Sequence, residues 1–144
     1  MKILITEEQY NFLITESTGN KTVDQFIKYA KKKLKIKEPV DIKLQDKKTK
    51  IRTTGVYRYG DEVKSKTPEI RIYTKNRLMA DVIRTIGHEL EHHKQNQDDM
   101  FPKGTTKKLQ KKEADSNVEA GKLTFDFGKK HPEIYKTPFE KKKK

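Results

Sequence analysis

The stretch Thr85-Ile86-Gly87-His88-Glu89-Leu90-Glu91-His92-His93 restricts this chain more than any other. It contains the pattern H-E-x-x-H. On an α-helix, residues four apart share one face, with Cβ atoms about 5–6 Å apart. His88 and His92 can therefore grip one small cation from a single rigid helix. Glu89 lies beside that cation, placed to take a proton from a water in the same site. Imidazole and carboxylate donors with one open position suit Zn2+ best. The flanking residues support a helix. Leu78, Val82, Ile83, Ile86 and Leu90 recur at helical spacing, Met79 broadens the stripe, and Asn76 is the expected N-cap. Gly87 leaves room for the close approach of another backbone.

The rest of the composition narrows the setting. At 144 residues the chain supports one domain with a modest core, since only 31% of residues are hydrophobic and 38% are charged. There is no cysteine, which excludes disulfides and thiolate metal sites, so any metal must rest on His and carboxylates. The apolar run Met1 to Ile5 is too short for a signal peptide and meets Glu7 and Glu8 almost at once. No segment is long and apolar enough to span a membrane. The expected location is the cytoplasm, or a phage particle. The net charge of +13 is concentrated in runs such as Lys31 to Lys33 and Lys141 to Lys144. It favours contact with polyanions or acidic protein partners, although no stacking signature or helix-turn-helix pattern accompanies it.

Three segments are expected along the chain: an N-terminal helical segment over 1–20, one domain over 21–135, and a basic, disordered tail over 136–144. The first segment holds a short helix from Thr6 to Thr15. Thr22 and Gln25 form a capping-box pair for the next helix, which runs to about Lys35 with Val23, Phe26, Ile27, Ala30 and Leu34 buried and lysines covering the other side. Alternation at period two marks strands at 40–44, 55–59 and 69–73. Their short connections predict an antiparallel meander. The third strand leads into the His88 helix, where its edge is available to pair with an extended peptide. Polar chain follows from Lys94 to Asp99. A further helix is capped by Thr106, uses Leu109, Ala114, Val118 and Leu123 as apolar positions, and stops at Gly128. His131 to Tyr135 forms a last ordered turn.

Two histidines do not hold zinc firmly, so a third protein ligand is expected. Glu113, Asp115, Glu119 and His131 are the downstream candidates. No third His stands at the spacing used in H-E-x-x-H-x-x-G-x-x-H, where this chain has Gln95 and Asp98. His93 points about 100° away from His92 around the helix and reads as a surface or supporting residue.

Over about Glu69 to Phe127 the chain resembles the gluzincin-type metallopeptidases, and more closely the small ones of the ImmA/IrrE type. The resemblance rests on H-E-x-x-H and on Glu113-Ala114-Asp115-Ser116-Asn117 with Ala120 nearby. It implies an α+β, zincin-like fold: a small, mainly antiparallel three-stranded sheet packed against the His88 helix and a following Glu-bearing helix. It implies Glu113 as the third ligand, with Glu119 as a rival because it sits where the family pattern is usually apolar. It further implies an oxyanion stabiliser, for which Tyr135 and His131 are the candidates. Asp115 and Asn117 are the candidates for orienting the ligand imidazoles. The activity implied is hydrolysis of a peptide bond in a specific protein substrate, with Glu89 as general base. The alternative is an inactive or non-enzymatic basic protein of the same fold that binds nucleic acid or an acidic partner. Thr6-Glu7-Glu8-Gln9-Tyr10 is similar to the openings of small phage-encoded proteins.

Overall fold

The computed structural model describes residues 18–48, 53–60, 63, 67–99 and 106–139. The expected helix at Thr6 to Thr15 lies outside the described residues. Helix α1 spans Lys21–Leu34, strand β1 Asp41–Gln45, β2 Gly55–Arg58, β3 Glu69–Tyr73, helix α2 Met79–Asp99 and helix α3 Thr106–Lys130. A 3-10 turn at Pro132–Tyr135 follows.

The amphipathic stripe of α1 is buried as its spacing requires: Val23, Phe26, Ile27, Ala30 and Leu34 all enter the core. The cap is Asn20 rather than Thr22. Its side chain accepts from the Val23 N–H at 3.0 Å, while Thr18 binds Asp24 through both its N–H and its hydroxyl. Asn is at least as good a cap as Thr, so the helix starts earlier and draws residues 18–20 into the domain. One lysine departs from the expected outer face. Lys31 is 2% exposed, and burial, partly opposed by Asp41, lowers its pKa to about 8.

The sheet is mixed, with order β1-β3-β2, and the expected meander is not formed. β1 runs parallel to β3 (Ile42 opposite Ile70) and β2 antiparallel to it (Tyr57 opposite Ile70). β3 takes the centre, where both of its edges are hydrogen-bonded and its two isoleucines face the helices. Ile70 and Ile72 point to the helices and are fully buried. On the opposite face Glu69 gathers Lys43, Arg58 and Arg71, at least one cation from each strand.

α2 begins at Met79, not after a cap at Asn76. Asn76 sits in a left-handed turn (φ 57°), and Leu78 is 42% exposed and bridges to Pro138. The first helical N–H is satisfied from elsewhere: Met79 N–H donates to the Thr137 carbonyl at 2.8 Å, and Phe139 N–H to that of Arg77 at 2.9 Å. Residues 136–139 are thus docked on the start of α2, and the expected tail is ordered over this part. α2 also continues through the polar segment 94–99. Its polar side chains find tertiary partners there, with Gln97 accepting from the N–H groups of Lys37 and Glu38.

α2 packs most extensively on α3. They cross where Gly87 meets Ala120: a Cβ at 87 would lie 3.5 Å from the Ala120 Cα. The buried stripe of α3 is Ser116, Ala120, Leu123, Thr124 and Phe127, leaving Val118 57% exposed and Ala114 at the surface. Gly128 lies inside α3 instead of ending it. The Tyr135 side chain packs on it so closely that a Cβ there would meet the phenolic hydroxyl oxygen at 2.5 Å. Phe26 and Phe127 meet edge to face at 5.3 Å and join α1 to α3. Among the described residues no helix is long and apolar enough to cross a membrane.

Candidate metal centre

The centre is built where α2 and α3 cross. One turn of α2 separates His88 from His92, and both rings point across to α3, where Glu113 reaches back. The His88 Nε2 lies 2.7 Å from Glu113 Oε1, the His92 Nε2 lies 2.9 Å from Glu113 Oε2, and the two Nε2 atoms are 3.1 Å apart. All three donors fall within 4.8 Å of one another, the spread a single ion needs. Donors each about 2.0–2.1 Å from a tetrahedral ion stand about 3.3 Å apart, close to what is seen.

Two features fit these residues to a cation. The first is the tautomer of His92. Its Nδ1 faces the Gln95 carbonyl oxygen at 3.0 Å, which can only accept, so Nδ1 carries the proton and Nε2 presents a lone pair. Gln95 is fixed in turn by donating to the Ser116 hydroxyl at 3.1 Å, itself 3.2 Å from His92 Nδ1. Contacts of this kind would hold the imidazole in a ligating orientation. The second is His88, which burial keeps below the ordinary imidazole pKa; Glu113 opposes this and His92 adds to it. Neutral imidazole is the ligating form. Asn117 hydrogen-bonds His88.

Glu89 sits beside the triad, 6% exposed, with one oxygen 3.9 Å from His88 Nε2 and the other without any hydrogen-bond partner. Burial first, and Glu113 second, push its pKa up to about 8. A buried carboxyl with an unused oxygen is costly, and a place beside a cation site is one setting that accounts for it. β2 closes over it. A Cβ on Gly55 would meet Thr85 Cγ2 at 2.6 Å and Glu89 Cγ at 3.3 Å, so only glycine lets the strand come this near. A cleft of about 370 Å3 opens at the triad, lined by Thr53, Thr54, Gly55, Arg84 and Asn117 together with His88, Glu89 and Glu113.

Compared with protein families, curated proteins and solved structures, the chain matches none.

Of the residues singled out in the sequence, His88, Glu89, His92 and Glu113 are brought together, and Asn117 joins them. Glu119 is not in the cluster. Asp115 is exposed, and its supporting place is taken by Ser116. Tyr135 and His131 do not reach the centre. Tyr135 lies on Gly128, fifteen residues beyond Glu113 or about 22 Å along α3. His131 stacks on Phe127 at 4.2 Å near the same end. The strand edge at the cleft belongs to β2, because β3 is paired on both sides.

His93 is neither at the surface nor a ligand. It is 1% exposed, with Nε2 2.9 Å from the Glu38 carbonyl, to which it donates, and Nδ1 accepting from the Tyr57 hydroxyl at 2.7 Å. It ties α2 to β2 and to the turn before β1. Gln95 and Ser116 were the supporting residues the sequence concealed. Gln95 stands three residues after His92, so only a helix extended past His93 would have pointed to it.

Proposed function

We propose that this chain is a zinc-dependent metallopeptidase acting on a specific protein or peptide substrate. The observation that carries this reading is the convergence of His88, His92 and Glu113 beside a buried carboxyl, Glu89, that has an unpartnered oxygen. When bound, zinc would supply Lewis-acid polarisation of a carbonyl and acidify a water. His88, His92 and Glu113 would hold it. Its charge would draw the Glu89 pKa down from about 8, making Glu89 an acceptor for the proton of the attacking water. Glu89 then passes that proton to the leaving amine. The edge of β2 beside Thr53, Thr54 and Gly55 offers backbone groups to an extended peptide.

The test has two readouts. Elemental analysis should find about one zinc per chain, lost in His88→Ala and in Glu113→Ala but kept in Glu119→Ala. Glu89→Gln should retain the zinc and lose peptide hydrolysis by roughly 10²–10⁴-fold. Full activity in Glu89→Gln removes Glu89 as the base, and a wild type that takes up no metal removes the reading altogether.

One observation favours a second reading, a basic binding protein. A groove of about 540 Å3 between α1 and α3 presents Lys33 and Lys130 beside Tyr29, Phe127 and His131. Binding of single-stranded oligonucleotide there should weaken steeply with salt and survive Glu89→Gln unchanged. No binding at low salt dismisses it.

A further inference from the structure

The two helices that form the centre face each other through matched stripes. On α2 the stripe is Arg84, His88 and His92, each four residues apart. On α3 it is Glu113, Asn117 and Gly121, at the same spacing. His88 and His92 meet Glu113, and His88 also meets Asn117. The next place along belongs to Arg84, whose Nη2 would stand 3.9 Å from a Cβ on Gly121. Glycine there gives the guanidinium room and no partner. Among the described residues Arg84 makes no hydrogen bond and no ion pair, although the neighbouring Arg77 spends its guanidinium on Tyr73, Asp81 and Thr85. Arg84 lines the cleft over the triad and is the only basic side chain, imidazoles apart, among the described residues that do.

We propose that Arg84 determines specificity by binding a substrate carboxylate close to the scissile bond. This rests on the peptidase reading above. Arg84 stands one helical turn from His88, about 5–6 Å between Cβ atoms. An extended peptide advances about 3.3 Å per residue, so the carboxylate belongs within about two residues of the cleaved bond. A planar guanidinium open to solvent on one side is matched to a carboxylate in two-point contact. That carboxylate comes from an Asp or Glu side chain or from the C-terminus of the peptide. A neutral substrate would forgo that contact and leave the guanidinium to water.

The test measures binding of hydroxamate probes to the zinc-loaded protein by calorimetry. Acetohydroxamate reports on the metal alone. Peptide hydroxamates bearing Asp or Glu are compared with Asn or Gln counterparts, and free C-terminal acids with their amides. The acidic probe of one pair should bind about five- to tenfold tighter than its neutral match. The pair that shows the difference identifies the source of the carboxylate. Arg84→Met, which keeps the side-chain stem and should keep its zinc, should erase the difference, and Arg84→Glu should reverse it. Acetohydroxamate binding with no acidic preference, or with a preference that persists in Arg84→Met, overturns the role of Arg84 and leaves the metal centre standing. No acetohydroxamate binding to a zinc-loaded protein overturns both.

Discussion

Two buried glutamates, Glu69 and Glu89, sit on opposite sides of the domain and have opposite fates. Glu69 is 3% exposed on the outer face of the sheet, where Arg71, Arg58 and Lys43 contact it at 2.6, 2.7 and 3.2 Å. Burial alone would raise its pKa, but hydrogen bonds from Arg71, Lys43 and Arg58 outweigh it and hold the carboxyl at about 2. Glu89 is 6% exposed and receives no such compensation, so burial prevails and its pKa rises to about 8. A carboxylate saturated by cations is fixed and inert, and contributes to folding. A carboxyl buried without a cation is a cost to folding, and is ready to respond to a cation or a proton. The difference separates structure from chemistry more sharply than burial does.

The comparison can be broken first at the metal. Gln95→Leu should lower zinc affinity by about 10–100-fold, because His92 loses the acceptor that sets its tautomer. Competition with a chelator reads this directly. Unchanged affinity would mean that the centre does not depend on outer support and that Glu89 lies beside a looser site.

Glu69→Gln should destabilise the protein by about 2 kcal/mol at neutral pH while leaving zinc content intact. Its pH dependence has a definite sign. The folded pKa lies below the ordinary value of 4.5, so the stabilisation is present above about 4.5 and fades as pH falls towards about 2. Urea denaturation at pH 7 and pH 3 should show the wild type and the variant converging at the lower pH. A constant gap would place the contribution of Glu69 in packing instead of charge.

The opposite sign is expected from Glu89→Gln in the metal-free protein. Here the folded pKa lies above the ordinary value, so the wild type is most stable below about 4.5 and loses stability as pH rises towards about 8. The variant lacks that loss and should be the more stable of the two at pH 8. Zinc should reduce the gap by compensating the carboxylate. A metal-free wild type that gains stability over this range would contradict an uncompensated Glu89.

Much of the candidate site was legible along the chain. His88, Glu89 and His92 lie within one helical turn and a half, where spacing decides proximity, and Ile83, Ile86 and Leu90 announce which side of that helix is buried. The stripe of α1 followed from the same periodicity. Sequence alone also set the donor chemistry, since without cysteine only imidazole and carboxylate remain.

Contacts between distant segments were decided by the tertiary structure. Glu113 and Glu119 are both α3 carboxylates, and only the crossing of α2 and α3 at Gly87 and Ala120 brings the former to the histidines. The parallel pairing of β1 with β3 comes from β3 taking the centre of the sheet between β1 and β2, which alternation within one strand does not record. The start of α2 depends on Thr137, nearly sixty residues away, so no local cap signal marks it. His93 became a buried tie between α2, β2 and Glu38 because Tyr57 and that carbonyl satisfy both ring nitrogens, where its neighbour His92 keeps one nitrogen for the centre. Local spacing determines which groups share a face, and long-range packing determines what that face meets.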